Sequence, residues 1–461
     1  MVNPQIHYGL RLTSFAARNF RSLCDVQVED LPPVVLLYGE NDTGKSNLIQ
    51  AVGVWLRIVQ ALALATPKLL KRRDFSERDF EFGLYETYEP DWSDKAPPDA
   101  PSASEILGPH PEALFRYGSD QFELEGELSL TALSSDERRY RFGFRVSREY
   151  GGQFHCTVLT AIWPDGRKPD KPLALDEMLL NKDVEALRQA LQNPWQQIGA
   201  ERRFDDEWLP REPTDEQDRP LDPTGRNLKL WLFRAASGFE ADRRKLFRER
   251  FAPLLTRQPF ALPEPLPVVA ADGKLELLLG DYPVEHRGSG PQQWVLMAGL
   301  LAMSQAAVAG LEEPEAHLSW EAQQQVAETL RNLVLDQSCP PYQLFVSGHS
   351  QLMLDICPTD TVYYKTTLQN GETRIERSVD LEEIQARFAM PPISDLRPRR
   401  LLAANLVRLS EDAVQHLNAT VGEKLFEAKE KDGSLRLVTA KWMDDYLSGN
   451  MGRDGNERKD D

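Results

Sequence analysis

Gly39-Glu40-Asn41-Asp42-Thr43-Gly44-Lys45-Ser46 has the form GxxxxGK[ST], and its flanks decide how it is read. The apolar run Val34 to Tyr38 leads into it, and a helical pattern follows from Asn47 to about Ala65. Strand, glycine loop and helix in that order form a phosphate cradle. The glycines let successive backbone N–H groups turn toward the phosphates, and the helix start adds partial positive charge. Lys45 can reach the β- and γ-phosphates, and the Ser46 hydroxyl can ligate Mg²⁺. A plain glycine turn between strand and helix is the alternative, and the three fixed positions within the right flanks argue against it. The chain is expected to bind a nucleoside triphosphate.

The 461 residues are enough for two or three domains, and 41% hydrophobic with 27% charged residues fits a soluble globular chain. No apolar run approaches the ~18 residues of a membrane span, and Met1 to Arg11 lacks an apolar signal core. Cys24, Cys156, Cys339 and Cys357 are scattered without metal spacing, so a reduced cytoplasmic setting with no membrane partner is expected. A formal charge of −18 argues against a surface that is basic all over. DNA contact through a local groove or after dimerisation stays open. The basic clusters at 68–73, Arg243-Arg244-Lys245 and Arg397 to Arg400 read as solvated faces, with nucleic-acid contact the alternative.

Leu12 to Phe20 and Cys24 to Val28 read as an antiparallel pair ahead of the central strand. Asp91 to Pro111 reads as a surface loop. Phe122 to Leu130, Arg139 to Val146 and Gln153 to Ile162 form a three-strand meander, with turns near 134–137 and at Gly151-Gly152. The meander could flank the nucleotide or carry regulatory contacts. From Leu173 to about Leu255 the pattern is helical and lacks sustained heptads, which disfavours a long coiled coil. Leu266 to Ala270 and Leu275 to Leu279, split by Asp272-Gly273, predict a hairpin.

Val308 to Leu311 is a short apolar run ending in Glu312-Glu313. At a strand end the first acid can hold Mg²⁺ and the second can orient water and take its proton. A helix end with an acidic turn is the alternative. A helical pattern over Trp320 to Leu335 follows, then the apolar strand Tyr342 to Val346 and Ser347-Gly348-His349-Ser350. A histidine there can bond a γ-phosphate or the attacking water, although a lone loop histidine is more often structural.

Taken together, Asn19-Phe20-Arg21-Ser22-Leu23, the loop Gly39 to Asn47, Leu311-Glu312-Glu313-Pro314-Glu315-Ala316-His317-Leu318 and His349-Ser350 resemble the ABC-type ATPases of the SMC/RecF branch. The bacterial OLD-like ATPases are the group they resemble most, over roughly residues 8–162 and 260–380. The resemblance implies ATP with Mg²⁺. Its phosphate contacts would be Gly39, Asn41, Asp42, Thr43, Gly44, Lys45, Ser46 and Asn47, and Ser46 and Glu312 would hold the metal. Glu313 would be the catalytic base, Pro314 to Leu318 the D-loop and His349 the switch histidine. Arg287-Gly288-Ser289-Gly290-Pro291-Gln292-Gln293, ahead of a helix from Trp294 to about Ala307, resembles the abbreviated signature loop of this group. Ser289, Gly290 and Gln293 would then serve the γ-phosphate of a neighbouring subunit, which implies a homodimer or higher homo-oligomer with ATP sandwiched at two composite sites. An ordinary Ser/Gly/Pro helix cap is the alternative. The first acid is glutamate where many ABC proteins have aspartate. Gly310 interrupts the apolar strand and is expected to loosen the site. The Q-loop glutamine is not placed; Gln121 is one candidate.

The resulting expectation is an α/β, ABC-type (RecF/SMC-like) P-loop ATPase with an inserted helical subdomain and a small C-terminal α+β domain. The divisions fall at 1–165, 166–258, 259–385 and 386–461. OLD-like nucleases carry a Toprim domain with a DxD pair. Asp444-Asp445 is instead an adjacent pair in a helical stretch, so nuclease activity is not expected. Val407 to Ala413, Val421 to Phe426 and Leu435 to Val438 after Gly433 loosely resemble an AbrB-like swapped-hairpin module, with a small cap on the ATPase as the alternative. Met451 to Asp461 reads as a polar, frayed end. The function implied is an ATP-driven switch that senses or regulates for a separately encoded effector in anti-phage defence. A RecF-like repair factor and an ATP-binding scaffold with little turnover are the alternatives.

Overall fold

The computed structural model describes residues 9–64, 80–84, 106–131, 137–148, 154–162, 164, 166, 182–209, 221–238, 241–256, 260–336, 339–350, 363–378, 425–429 and 435–439. Strands β1 (Gly9–Phe20), β2 (Leu23–Val28) and β3 (Val34–Tyr38) lead into helix α1 (Lys45–Leu64). Strands β4 (Phe80–Leu84), β5 (Gln121–Thr131), β6 (Glu137–Arg148) and β7 (Phe154–Ile162) follow. Next come α2 (Lys182–Ala190), β8 (Trp195–Ile198), β9 (Glu207–Trp208) and α3 (Leu228–Ser237). Helix α4 (Ala241–Leu246), a π-helical turn (Phe247–Phe251) and α5 (Ala252–Thr256) precede β10 (Pro265–Val269), β11 (Lys274–Leu279) and β12 (Tyr282–Pro283). The series continues with α6 (Ser289–Ser304), β13 (Val308–Glu312), α7 (Trp320–Leu335), β14 (Gln343–Gly348), β15 (Tyr363–Gln369) and β16 (Glu372–Ser378). The chain forms two compact units, Met1–Asp380 and Leu381–Asp461. In the second, the described residues form one antiparallel hairpin, β17 (Leu425–Lys429) with β18 (Leu435–Thr439).

Two six-stranded sheets carry the first unit. One has the order β16-β15-β3-β14-β13-β8, in which β15, β3, β14, β13 and β8 run parallel and only β16 is antiparallel. The other, β2-β1-β5-β6-β7-β4, is antiparallel throughout. Strand β3 is buried at every residue, as expected for a parallel strand covered on both faces. The outer face of β5 and β6 instead carries cross-strand pairs such as Arg141–Glu125 (2.7 Å) and Arg145–Glu123 (2.7 Å). This is the α/β architecture the P-loop and strand pattern imply.

Helix α1 contacts β8, β13 and β14 of the parallel sheet, and β1 and β5 of the antiparallel one. Contact on both sides explains why Leu48, Ile49, Ala51, Val52, Val54, Trp55, Leu56, Ile58 and Val59 are all buried, leaving a narrow stripe of half-buried polar residues at Gln50, Arg57 and Gln60. Trp55 meets Phe15 edge-on at 6.3 Å and donates its Nε1–H to the Phe142 carbonyl (3.1 Å). Buried Gln343 on β14 joins the sheets by accepting from Leu12 N (2.8 Å) and donating to Leu12 O (2.9 Å) and Pro32 O (3.0 Å), so its amide is satisfied.

Several elements differ from the sequence expectations. The stretch read as helical from Leu173 contains β8, which pairs with β13 at the edge of the parallel sheet. Helix α6 starts at Ser289, five residues before Trp294, because Pro291 fits a first turn where no N–H is needed. Gly310 does not loosen the site. A Cβ there would lie 2.6 Å from Ile49 and 2.7 Å from Trp195, so the missing side chain is what lets α1 and β8 close onto β13. Gly310→Ala is therefore expected to destabilise the protein by about 1–3 kcal/mol through overpacking, read from urea unfolding. A midpoint equal to wild type would contradict this packing. The cluster at 68–73, the 91–105 part of the surface loop, Arg397 to Arg400, Val407 to Ala413, Asp444-Asp445 and the frayed end lie outside the described residues.

Candidate functional site

The carboxyl ends of β3, β13, β14 and β8 share one edge of the parallel sheet, the usual ligand side of such a sheet. After β3 comes the glycine loop. Its geometry needs glycine at both ends. Gly44 has φ +95°, and a Cβ on it would sit 2.0 Å from Thr373 Oγ1; a Cβ on Gly39 would sit 2.4 Å from the Thr366 carbonyl. The hairpin β15–β16 thus backs the loop closely. The Thr43 hydroxyl donates to the Glu40 carbonyl within the loop (2.9 Å) and shares a hydrogen bond with Thr366 Oγ1 (2.7 Å) on this wall. Asn41 and Asp42 are exposed, with Asp42 at φ +59°.

Lys45 is only 7% exposed and donates to the carbonyls of Gly39 (2.9 Å) and Glu40 (2.6 Å). Burial pulls its pKa below the ordinary lysine value, opposed by the charges of Glu313, Glu315, Asp42 and Glu40. Ser46 Oγ donates to Glu312 Oε2 at 2.6 Å, and Gln197 Nε2, at the end of β8, donates to Glu312 Oε1 at 2.6 Å. A serine hydroxyl, a carboxylate and an amide carbonyl are the hard oxygen donors Mg²⁺ prefers, and one carboxylate suffices when phosphates complete the shell. The residues fit the metal.

Glu313 follows directly at φ +46°, with its N–H donating to the Ser347 carbonyl (2.8 Å). Its Oε1 lies 3.1 Å from His349 Nε2, while His349 Nδ1 lies 3.1 Å from the Gly39 carbonyl. Both partners are acceptors, so a neutral ring donates to one of them and an imidazolium to both. The histidine is held by its backbone as well. Glu315 Oε1 accepts from His349 N (2.6 Å) and Ser350 N (3.1 Å), and Tyr38 donates its hydroxyl to His349 O (2.8 Å). Burial pushes the Tyr38 phenol up to about 12, so it remains a donor at neutral pH.

The sequence-predicted residues separate into groups. Lys45, Ser46, Glu312, Glu313 and His349 converge. Asn47 does not face the loop opening. Its amide donates to Ser22 Oγ (2.7 Å) and its carbonyl accepts from Arg21 (3.2 Å). Arg21 is thereby fixed beside the site, close enough for the Glu312 charge to raise its pKa against the larger lowering by burial. Ser289 is exposed at the start of α6, and Gly290 packs where a Cβ would meet the His317 carbonyl at 3.2 Å. Gln293 is committed elsewhere. Its Oε1 accepts from Arg202 Nε (3.0 Å) and its Nε2 donates to Arg202 O (3.0 Å). Gln121 opens β5 in the antiparallel sheet, exposed; the glutamine that reaches the acidic pair is Gln197. Sequence reading missed Gln197 because β8 is four residues long. Its signal was a Trp-Gln-Gln-Ile run set off by Pro194 and Gly199. Arg202, which also holds backbone in the acidic turn, carried no motif.

The family model described as "AAA domain, putative AbiEii toxin, Type IV TA system" matches residues 34–355, more than two thirds of the chain. No curated protein matches the sequence. Among solved structures, the SMC head domain from Thermotoga maritima aligns at 11% identity over 80% of this chain and 99% of its own, with TM-score 0.38. An Smc head domain with an extended coiled coil, bound to the C-terminal domain of ScpA derived from Pyrococcus furiosus, aligns at 11% over 82% and 99%, with TM-score 0.44. The recombination mediator protein RecF-ATPrS in the RecFOR pathway aligns at 12% over 80% and 99%, with TM-score 0.39.

Proposed function

The chain belongs to that AAA-domain family, and on this premise we propose that it is an ATP-hydrolysing conformational switch whose two copies close on two ATP molecules. The observation that carries the reading is the convergence of Ser46, Gln197 and Glu312 beside Glu313 and His349. Lys45, released from the loop carbonyls, would bind the β- and γ-phosphates. Ser46, Glu312 and Gln197 would hold Mg²⁺, which supplies charge neutralisation on the phosphates. Glu313 orients the attacking water and takes its proton, and His349 positions the γ-phosphate against the Glu313 carboxylate.

Exposure of Ser289 at a helix start supports its serving a phosphate of a second copy. Ser289→Arg is expected to leave ATP binding at Lys45 largely intact and to abolish turnover, because the bulky cation blocks closure. Mixed with Lys45→Ala chains, it should regain part of the activity. One composite site then carries both lesions and the other carries neither. Absence of any recovery, in a mixture shown to exchange subunits, would count against action in trans or require both sites to fire together.

For the output of the switch we favour control of a separately encoded effector in anti-phage defence. The family description, which names a toxin and a Type IV TA system, supports it. Purification with native partners and mass spectrometry of what co-elutes tests this. Recovery of a nuclease or toxin supports it, and recovery of DNA-repair proteins with bound DNA would favour a RecF-like role instead.

A further inference from the structure

Arg202 is 4% exposed and carries five N–H donors and no acceptor. Its guanidinium donates to Gly199 O (3.0 Å) and Glu312 O (2.9 Å) through Nη1, to Glu313 O (3.0 Å) through Nη2, and to Gln293 Oε1 (3.0 Å) through Nε. Gln293 Nε2 donates back to Arg202 O at 3.0 Å. One side chain therefore joins three pieces of the site: the end of β8 that carries Gln197, both carbonyls of the acidic pair, and the first turns of α6. Burial lowers the guanidinium to about 10, with the charges of Glu315, Glu313 and Glu312 opposing the fall, so it stays protonated at neutral pH.

Two features give this link a consequence. Glu313 sits at φ +46°, a left-handed conformation that a non-glycine residue keeps only when its surroundings impose it. Those surroundings are the Ser347 carbonyl on its N–H and, on its C=O, the Ala316 N–H (3.0 Å) of the following turn and Arg202 (3.0 Å), which reaches it from outside that turn. Meanwhile Gln293 lies one helical turn beyond Ser289 on α6, so the two residues share a side of the helix. A phosphate arriving at Ser289 loads the same helix start that Gln293 ties to Arg202.

We propose that Arg202 is a positioning residue through which α6 sets the backbone of Glu313, so that occupancy at Ser289 by a second copy's nucleotide regulates proton abstraction. The idea rests on the ATPase reading above and adds to it how engagement of one loop governs chemistry at another residue. Buried Arg202 has its donors on the Gly199, Glu312 and Glu313 carbonyls and on Gln293, so it acts by fixing the peptides on either side of the base. Gln293 is the connection to α6, with both ends of its amide bonded to Arg202.

The test is steady-state hydrolysis by the full chain, with kcat and KM read separately and thermal unfolding as the control for folding. Gln293→Leu leaves Arg202 on the two carbonyls and removes only the tie to α6. It is expected to lower kcat about tenfold, the weight of a charge-assisted hydrogen bond, while KM stays within about twofold. Arg202→Lys offers one ammonium for acceptors that a planar fork spans, and should lower kcat further at similar KM. The double variant should be no slower than Arg202→Lys, because both changes cut one connection. Unchanged kcat in Gln293→Leu, or losses that multiply in the double variant, would overturn the proposal. So would a rise in KM that tracks a lowered unfolding temperature, which marks a role in stability alone. Lack of turnover in the wild-type chain would be a different failure, that of the ATPase reading, and it would appear before any variant is compared.

Discussion

Lys45→Ala is expected to weaken ATP binding by about tenfold to a hundredfold and to lower hydrolysis at least as much. The lysine loses charge-assisted hydrogen bonds worth about 1.5–3 kcal/mol, and each ~1.4 kcal/mol is tenfold in affinity. The same ammonium is positioned to neutralise charge that develops on the transferring phosphoryl group, which adds to the loss in rate. The lysine is buried against the Gly39 and Glu40 carbonyls, so the loop loses two internal hydrogen bonds as well. Titration with a fluorescent ATP analogue, together with phosphate release, checks both parts. Affinity and turnover equal to wild type would show that the loop is not the nucleotide site.

Glu313→Gln should bind ATP normally and hydrolyse it about 10²–10⁴ times more slowly. The amide keeps the shape of the carboxylate but cannot take a proton from water. It also keeps an oxygen and gains a donor opposite His349, so the ring, now 3.1 Å from Oε1, retains a partner. ATP should therefore accumulate in the closed form. Filter-binding of labelled ATP with a chase measures its residence. Rapid hydrolysis by this variant would move the base to another residue, and a lost affinity would mean that Glu313 acts in binding.

How much of this was legible in the sequence follows a physical pattern. Val34 to Tyr38, Val308 to Leu311 and Tyr342 to Val346 were readable as strands because parallel strands buried on both faces are continuous apolar runs. The residues at their ends then had to share one sheet edge, which is how Lys45, Ser46, Glu312, Glu313 and His349 come together. The meander β5–β7 and the hairpin β10–β11 were equally plain, from alternation and from Asp272-Gly273.

What was not legible depends on side chains that act across the fold. Gln197 sits on a strand too short to show a period, and only pairing with β13 places it beside Glu312. Arg202 is one arginine among many in a polar stretch, and its burial is set by contacts from β13 and α6. Gly310 looked like a flaw in a strand because the sequence does not reveal Ile49 and Trp195 converging on it. Asn47 and Gln293 looked like ligand contacts by their place in motifs. In the structure their amides hold Arg21, Ser22 and Arg202, so they brace the residues beside the glycine loop and the acidic turn.

The central claim is that two chains complete each other's sites, and crosslinking tests it most directly. Chains carrying Asn41→Cys and chains carrying Ser289→Cys, on tags of different size and with the Glu313→Gln change to slow turnover, are mixed with ATP and Mg²⁺ and treated with a short thiol crosslinker. Single-cysteine controls account for the native cysteines. The account predicts a crosslink between the two differently tagged chains that appears with ATP and is lost when Lys45→Ala is added to the Asn41→Cys chain. Absence of a crosslink between the differently tagged chains in the presence of ATP, or a crosslink indifferent to nucleotide, would contradict it.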